Sequence, residues 1–232
     1  SSDVCSSDLI YVGGLAGYAT KSVIEHVSNQ LFIDIEAVIG GSGVIDAGGL
    51  AGWVGQGTIN SCSNIGAVST SIRSLGAGSS NAICYSGGIV GYANPTSAAA
   101  PLTISNCYNT GNISAASSYM SKAAGIAGVV SSYNSFTMKN CYNAGTISAD
   151  TASPICTSDS ISGIVSNVYY LEGMDSGFGR AMTDDQMREE SFASVLGNEF
   201  VYEEGNYPRL YWERVVEKVE VEKLPDKTGY YD

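Results

Sequence analysis

The feature that most constrains this chain is a repeat. Residues 87–114, GGIVGYANPTSAAAPLTISNCYNTGNIS, join a glycine block to an Asn-Cys-Tyr-Asn block, and both blocks recur. Aligned on their second glycine, the glycine blocks fall at Gly14, Gly49, Gly88, Gly125 and Gly163, spaced by 35, 39, 37 and 38 residues. A period in this range marks units too small to bury an apolar face alone, so each must rest on the next. The second block reads INSCSNIGAVS at 59–69, ISNCYNTGNIS at 104–114 and MKNCYNAGTIS at 138–148. A weaker form, IEHVSN at 24–29, puts Val27 in the cysteine position, and Val168 takes it after the last copy.

Each copy holds about three short strand candidates; in the third these are Ile89–Ala93, Leu102–Cys107 and Asn112–Ala115. They are rich in small and β-branched residues and bounded by Gly, Asn and Ser. Laying equivalent strands side by side pairs every backbone group and makes one continuous core. The expected fold is all-β, a parallel β-solenoid of about five coils, on the order of 24 Å long at about 4.8 Å per layer. The segments Asn94–Pro101 and Ser131–Ser135 absorb the length differences between copies. Such insertions map to loops on one face, where a ligand is expected.

The glycine block followed in register by NCYNTGNIS resembles the GLUG repeat of bacterial surface proteins, which also lies beside the catalytic part of some immunoglobulin A peptidases. The resemblance covers residues 13–170 and is weaker in the first and last copies. It implies a non-catalytic module at the bacterial cell exterior, a spacer or adhesin. The alternative is the accessory region of a secreted peptidase whose catalytic domain lies elsewhere. A partner in that setting would be a host or environmental glycan or a matrix protein.

The recurring residues have structural roles in this reading. Cys62, Cys107 and Cys141 share a slot that also accepts Val27, so a small apolar core position fits them. A metal site fails on spacing, for there is no CxxC. A disulfide between neighbouring strands remains open, though parallel neighbours point their Cβ atoms the same way. Cys84 and Cys156 lie in loop-like sequence before glycine blocks. Asn64, Asn109 and Asn143 each stand two residues before a glycine, which is turn chemistry with the glycine at positive φ. The functional alternative is a polar groove for sugar hydroxyls, with Asn94, Tyr92, Tyr108 and Tyr142 as its ligand face. His26 is the only histidine and alternation turns it outward, as a surface residue without a partner.

Charge divides the chain. Residues 1–170 carry 8 acids and 4 bases, whereas 171–232 carry 15 acids and 7 bases. Four segments follow: a prefix at 1–9 that does not fit the repeat and reads as artefactual or disordered, the repeats at 10–170, a small α+β cap at 171–214 that closes the end of the stack, and a linker at 215–232. The segment KLPDKTGYY within that linker resembles the opening strand of a bacterial immunoglobulin-like domain. A capping box, Thr183 with Gln186, starts a short helix in the cap. The net charge of −12 disfavours nucleic acid, whose phosphates demand Lys and Arg. No apolar run is long enough for a transmembrane helix, so no membrane insertion is expected. The sequence has no HExxH, phosphate loop or nucleophile elbow, and no catalytic residue, metal or cofactor is expected.

Overall fold

Short strands of small and β-branched residues leave their backbone edges to be paired by other strands. The computed structural model, which describes residues 8–75, 81–95, 99–131, 135–158, 163–174 and 177–214, pairs them between successive copies of the repeat. The chain is mostly β, and its large sheets are parallel. The first sheet orders Asp8–Gly13, Gly43–Gly48, Ala82–Gly87, Met120–Ala124 and Thr151–Ser153. The second orders Ala16–Ala19, Ala51–Val54, Val90–Ala93, Ala127–Val130 and Cys156–Thr157. The third contains Ser22–Glu25, Gly57–Asn64, Leu102–Asn109, Phe136–Asn143, Ile164–Leu171 and Arg180–Met182. The fourth orders Ile33–Ile39, Val68–Ser74, Ile113–Ser117 and Ile147–Ser148. Each central copy therefore supplies four strands rather than three. The additional strand precedes the glycine pair; in GVIDAG and AICYSG its small and polar residues read as turn sequence.

Two apolar clusters lie inside. One gathers Leu50, Ile59, Cys62 and their equivalents from the second and third sheets. The other gathers Ile45, Ile72, Cys84 and Ile113 from the first and fourth. Cys84 and Cys156 are thus buried strand residues, not loop residues.

Register corrects several expectations. Asp8 and Leu9 pair with Gly43 and Val44, so they belong to the first strand rather than to a prefix. Residues 1–7 and the linker at 215–232 lie outside the described residues. Thr137 pairs with Ile164, which sets Gly163 opposite Phe136 at the start of a third-sheet strand. The true equivalent of Gly125 is Pro154, since Ala124 pairs with Ser153. The glycine block of the last copy has become SPICT, which a search for glycines cannot find.

The C-terminal segment differs most. Met174 and Phe178 pack against the main core, so residues just after the last repeat shield it at that end. The rest does not close the stack. It runs back along the outer face of the third sheet as helix α1 (Asp184–Met187), helix α2 (Glu190–Leu196), the antiparallel pair Phe200–Val201 and Arg209–Leu210, and a 3-10 turn at Tyr211–Glu213. The Thr183–Gln186 capping box is formed. Met187, Phe192, Leu196, Phe200 and Leu210 cover Tyr108, Tyr142 and Tyr169. Those tyrosines are register neighbours, and their apolar rings give that face something to bury. Among the described residues, no helix is long and apolar enough to cross a membrane.

Candidate functional site

The recurring motif residues point into the structure. Asn64 Nδ2 donates to Asn109 Oδ1 at 2.7 Å, and Asn109 Nδ2 to Asn143 Oδ1 at 2.7 Å. Asn29 extends this ladder into copy one through Nδ2 to Asn64 Oδ1 at 2.8 Å. Each amide also donates to the carbonyl two residues ahead, at Gly66, Gly111 and Gly145. With their donors satisfied and no exposure, Asn64, Asn109 and Asn143 offer nothing to a sugar. The glycines two residues ahead do not take positive φ. Glycine is required there because a Cβ on Gly111 would overlap Gly66 O of the adjoining copy. Gly14, Gly49, Gly88 and Gly125 are needed for a related reason: a Cβ on any of them would run into the asparagine ladder and into the next copy's backbone.

The cysteine slot is a core slot with free thiols. Val27, Cys62, Cys107, Cys141 and Val168 occupy one register position. Each of the three thiols donates to the carbonyl two residues earlier, at 3.1, 3.0 and 3.2 Å respectively. Burial pushes Cys107 well above the usual thiol range, Cys84 up to about 11 and Cys156 up to about 12. The residue before the slot is left-handed in every copy: His26, Ser61, Asn106, Asn140 and Asn167 have φ of 54°, 51°, 52°, 52° and 51°. That single residue shifts the alternation, so Ile104 and Cys107 both face the core while Tyr108 faces out. Asn tolerates this conformation better than most residues, which explains the first Asn of the motif.

Tyr108 and Tyr142 are not a ligand face, because the C-terminal segment buries both. Glu213 anchors it: Oε2 accepts from Tyr108 OH at 2.7 Å and from Leu210 N at 3.0 Å, and Oε1 accepts from Ser63 Oγ. Trp212 Nε1 donates to Ser61 O at 3.0 Å, and its ring meets His26 edge-on at 5.8 Å, so His26 does have a partner. Burial, then the Glu213 carboxylate, raises the Tyr108 phenol far above its ordinary range.

An outward array remains where the first sheet turns into the second. In the first sheet Tyr11, Asp46, Tyr85 and Lys122 are consecutive register neighbours. In the second, Tyr18, Trp53, Tyr92 and Val129 are. The two columns meet across the glycine turn. Tyr11 and Tyr18 lie 5.9 Å apart, Tyr85 stacks on Tyr92 at 5.5 Å, and Tyr18 stacks on Trp53 at 4.5 Å and 3°. Asp46 occupies the middle of the first column, flanked by tyrosines, and is only 4% exposed. Its Oδ1 has no hydrogen-bond partner, and burial raises its carboxyl from 3.8 to about 7. Tyr92 is the member of the expected ligand face that belongs here. Asn94 follows it and accepts from Ser131 Oγ at 2.8 Å, which ties the bases of the two variable loops together. Residues 96–98 and 132–134 of those loops lie outside the described residues. A signal for the array was present in the sequence: Tyr11, Asp46 and Tyr85 stand three residues before Gly14, Gly49 and Gly88, and Tyr18, Trp53 and Tyr92 stand four after them.

No family model, curated protein or solved structure matches the chain.

Proposed function

We propose that this chain is a non-catalytic β-solenoid module of about five coils in an extracellular bacterial protein, at the cell surface or wall, serving as spacer or adhesin. One observation carries the reading: the residues that recur, Gly49, Gly88, Asn64, Asn109, Cys62 and Cys107, are all turned inward and join one copy to the next. Their recurrence is explained by stacking alone, which leaves the outer faces free to vary with the partner. Contact falls to the aromatic column Tyr18–Trp53–Tyr92, in which Tyr18 is exposed and Trp53 and Tyr92 are partly buried, and to the adjoining loop bases. Aromatic faces suit glycan rings and protein surfaces alike.

The test is binding of the intact chain to immobilised glycans and matrix proteins. Saturable binding to one class, weakened by Trp53→Ala at unchanged melting temperature, is the expected result. Binding by none removes the adhesin half of the proposal, and cleavage of any of them by the pure protein overturns the non-catalytic half.

A further inference from the structure

Asp46 Oδ1 and Ser135 Oγ are the buried side-chain oxygens without a hydrogen-bond partner among the described residues. An unpaired hydroxyl is a modest cost, but an unpaired carboxylate is a large one. No described cationic side chain pairs with Asp46, for the sole ion pair among the described residues is Arg188 with Asp184. Alternation makes its position an outward one: Ile45 and Ala47 on either side of it belong to the core, while its register partners Tyr11 and Tyr85 are partly exposed. A carboxylate thus lies beneath the surface of an aromatic array, with a ring on each flanking strand and Trp53 on the facing sheet.

We infer that this array is a binding site for an alkylammonium group, with Asp46 as counter-ion and Tyr11, Tyr85 and Trp53 as its walls. The inference rests on the aromatic corner being the contact surface proposed above, and gives it a ligand class. Ring faces attract cations through their quadrupoles, and the carboxylate adds a full charge. A sugar hydroxyl would satisfy Oδ1 but, above about pH 7 where the carboxyl ionises, would leave its charge uncompensated. A hard divalent ion needs several oxygens, and no group of three or more His, Cys, Asp or Glu residues suited to a metal occurs among the described residues. Tyr18, 54% exposed, forms the rim. Entry takes a rotamer change at Tyr11, a fast motion for a partly exposed side chain.

The experiment titrates the intact protein at constant ionic strength with tetramethylammonium chloride and with butylammonium chloride, following tryptophan fluorescence. Saturable change is expected, retained in Trp212→Phe and at least tenfold weaker in Asp46→Asn. Tighter binding of tetramethylammonium identifies a quaternary headgroup as the natural source; tighter butylammonium identifies a lysine side chain. Affinity should also fall at least tenfold from pH 8 to pH 5 in the unmodified protein, a readout that stands even if Asp46→Asn fails to fold. The titratable groups around Asp46 are Tyr11 and Tyr85 beside it, Tyr18 and Tyr92 on the facing sheet, Cys84 next to Tyr85 and Lys122 one strand beyond. Tyr11, Tyr85 and Cys84 are shifted upward, away from this pH window, which leaves Asp46 as the group that changes. An equal response to sodium chloride, a pH-independent affinity, or full binding by a folded Asp46→Asn overturns the inference. Glycan or matrix binding that ammonium ions do not displace also overturns it and leaves the adhesin reading standing. Ammonium binding without any macromolecular ligand does the reverse.

Discussion

Asn64 and Asn109, 45 residues apart in the chain, are joined by an amide hydrogen bond of 2.7 Å in the interior. The bond is one rung of a ladder from Asn29 to Asn143, so each asparagine fixes the register of two neighbouring copies. Replacing Asn109 with Ala deprives Gly111 O of its side-chain donor and Asn64 of its acceptor, an expected loss of about 1–3 kcal/mol. Asn109→Asp is nearly the same shape but puts a carboxylate against Asn143 Oδ1 and Gly111 O, both acceptors. Its expected cost at neutral pH is about 3–5 kcal/mol. Urea unfolding measures both; equal losses would mean that the amide donors do not hold the register.

The same ladder explains the glycine block. A Cβ on Gly88 would press on Gly125 O and come within 2.5 Å of Asn109 Cγ, whereas a Cβ on Gly41 would meet nothing within 4 Å. Gly88→Ala should therefore destabilise by about 3 kcal/mol or fail to fold, since overpacking of fixed backbone has no cheap relief. Gly41→Ala should be neutral or slightly stabilising. Thermal melts of the two variants decide the matter, and similar melting temperatures would mean that the copies are not packed this closely.

The thiols give a prediction about reactivity. Cys62, Cys84, Cys107, Cys141 and Cys156 are all buried and unpaired. In native protein these five should resist alkylation at pH 8 and all should react after unfolding; Cys5 lies outside the described residues. Cys107→Val should be near neutral, as Val27 and Val168 in the same slot suggest, while Cys107→Asp should cost several kcal/mol for a buried, unpaired charge. Mass spectrometry of alkylated samples and urea midpoints are the readouts.

The C-terminal segment is held by few polar contacts over one apolar face. Glu213 accepts from Tyr108, Ser63 and the Leu210 backbone, so Glu213→Ala leaves a buried phenol and a hydroxyl short of a partner. A loss of about 2 kcal/mol is expected. It should show first as faster hydrogen exchange over residues 183–214, with the repeat strands unchanged. Uniform acceleration throughout would mean that the segment and the repeats unfold as one unit.

Asn109 and Cys107 are legible because stacking forces the same residue type into the same place in successive copies. Pro154 is not, since its slot has lost the glycine that marks it elsewhere. The strand before each glycine pair is harder to read because its outward residues answer to the surface: Tyr11 and Tyr85 agree, but Asp46 between them and Lys122 beyond break the recurrence. The covering of Tyr108 and Tyr142 is hidden for another reason: a tyrosine two-thirds of the way through a motif reads alike whether water or a distant helix lies above it. Only the apolar face of α2, with Phe192 and Leu196, hinted that some surface had to receive it.

Asp46 gives the last prediction, a pH dependence of stability. Its carboxyl rises from 3.8 to about 7 on folding because burial disfavours the charged form. Between these values the folded state holds a proton that the unfolded state has released, so stability falls as pH rises from about 4 to about 7 and is level above that. The full span corresponds to at most about 4 kcal/mol. Other carboxylates add their own slopes, so the informative quantity is the difference between the unmodified protein and Asp46→Asn. That variant keeps the shape and removes the titration. It should be no more stable than the unmodified protein at pH 4 and more stable at pH 8. Urea midpoints across this range give the difference curve. A flat curve would show that Asp46 is solvated in the folded state, and the closed aromatic cradle would then be wrong.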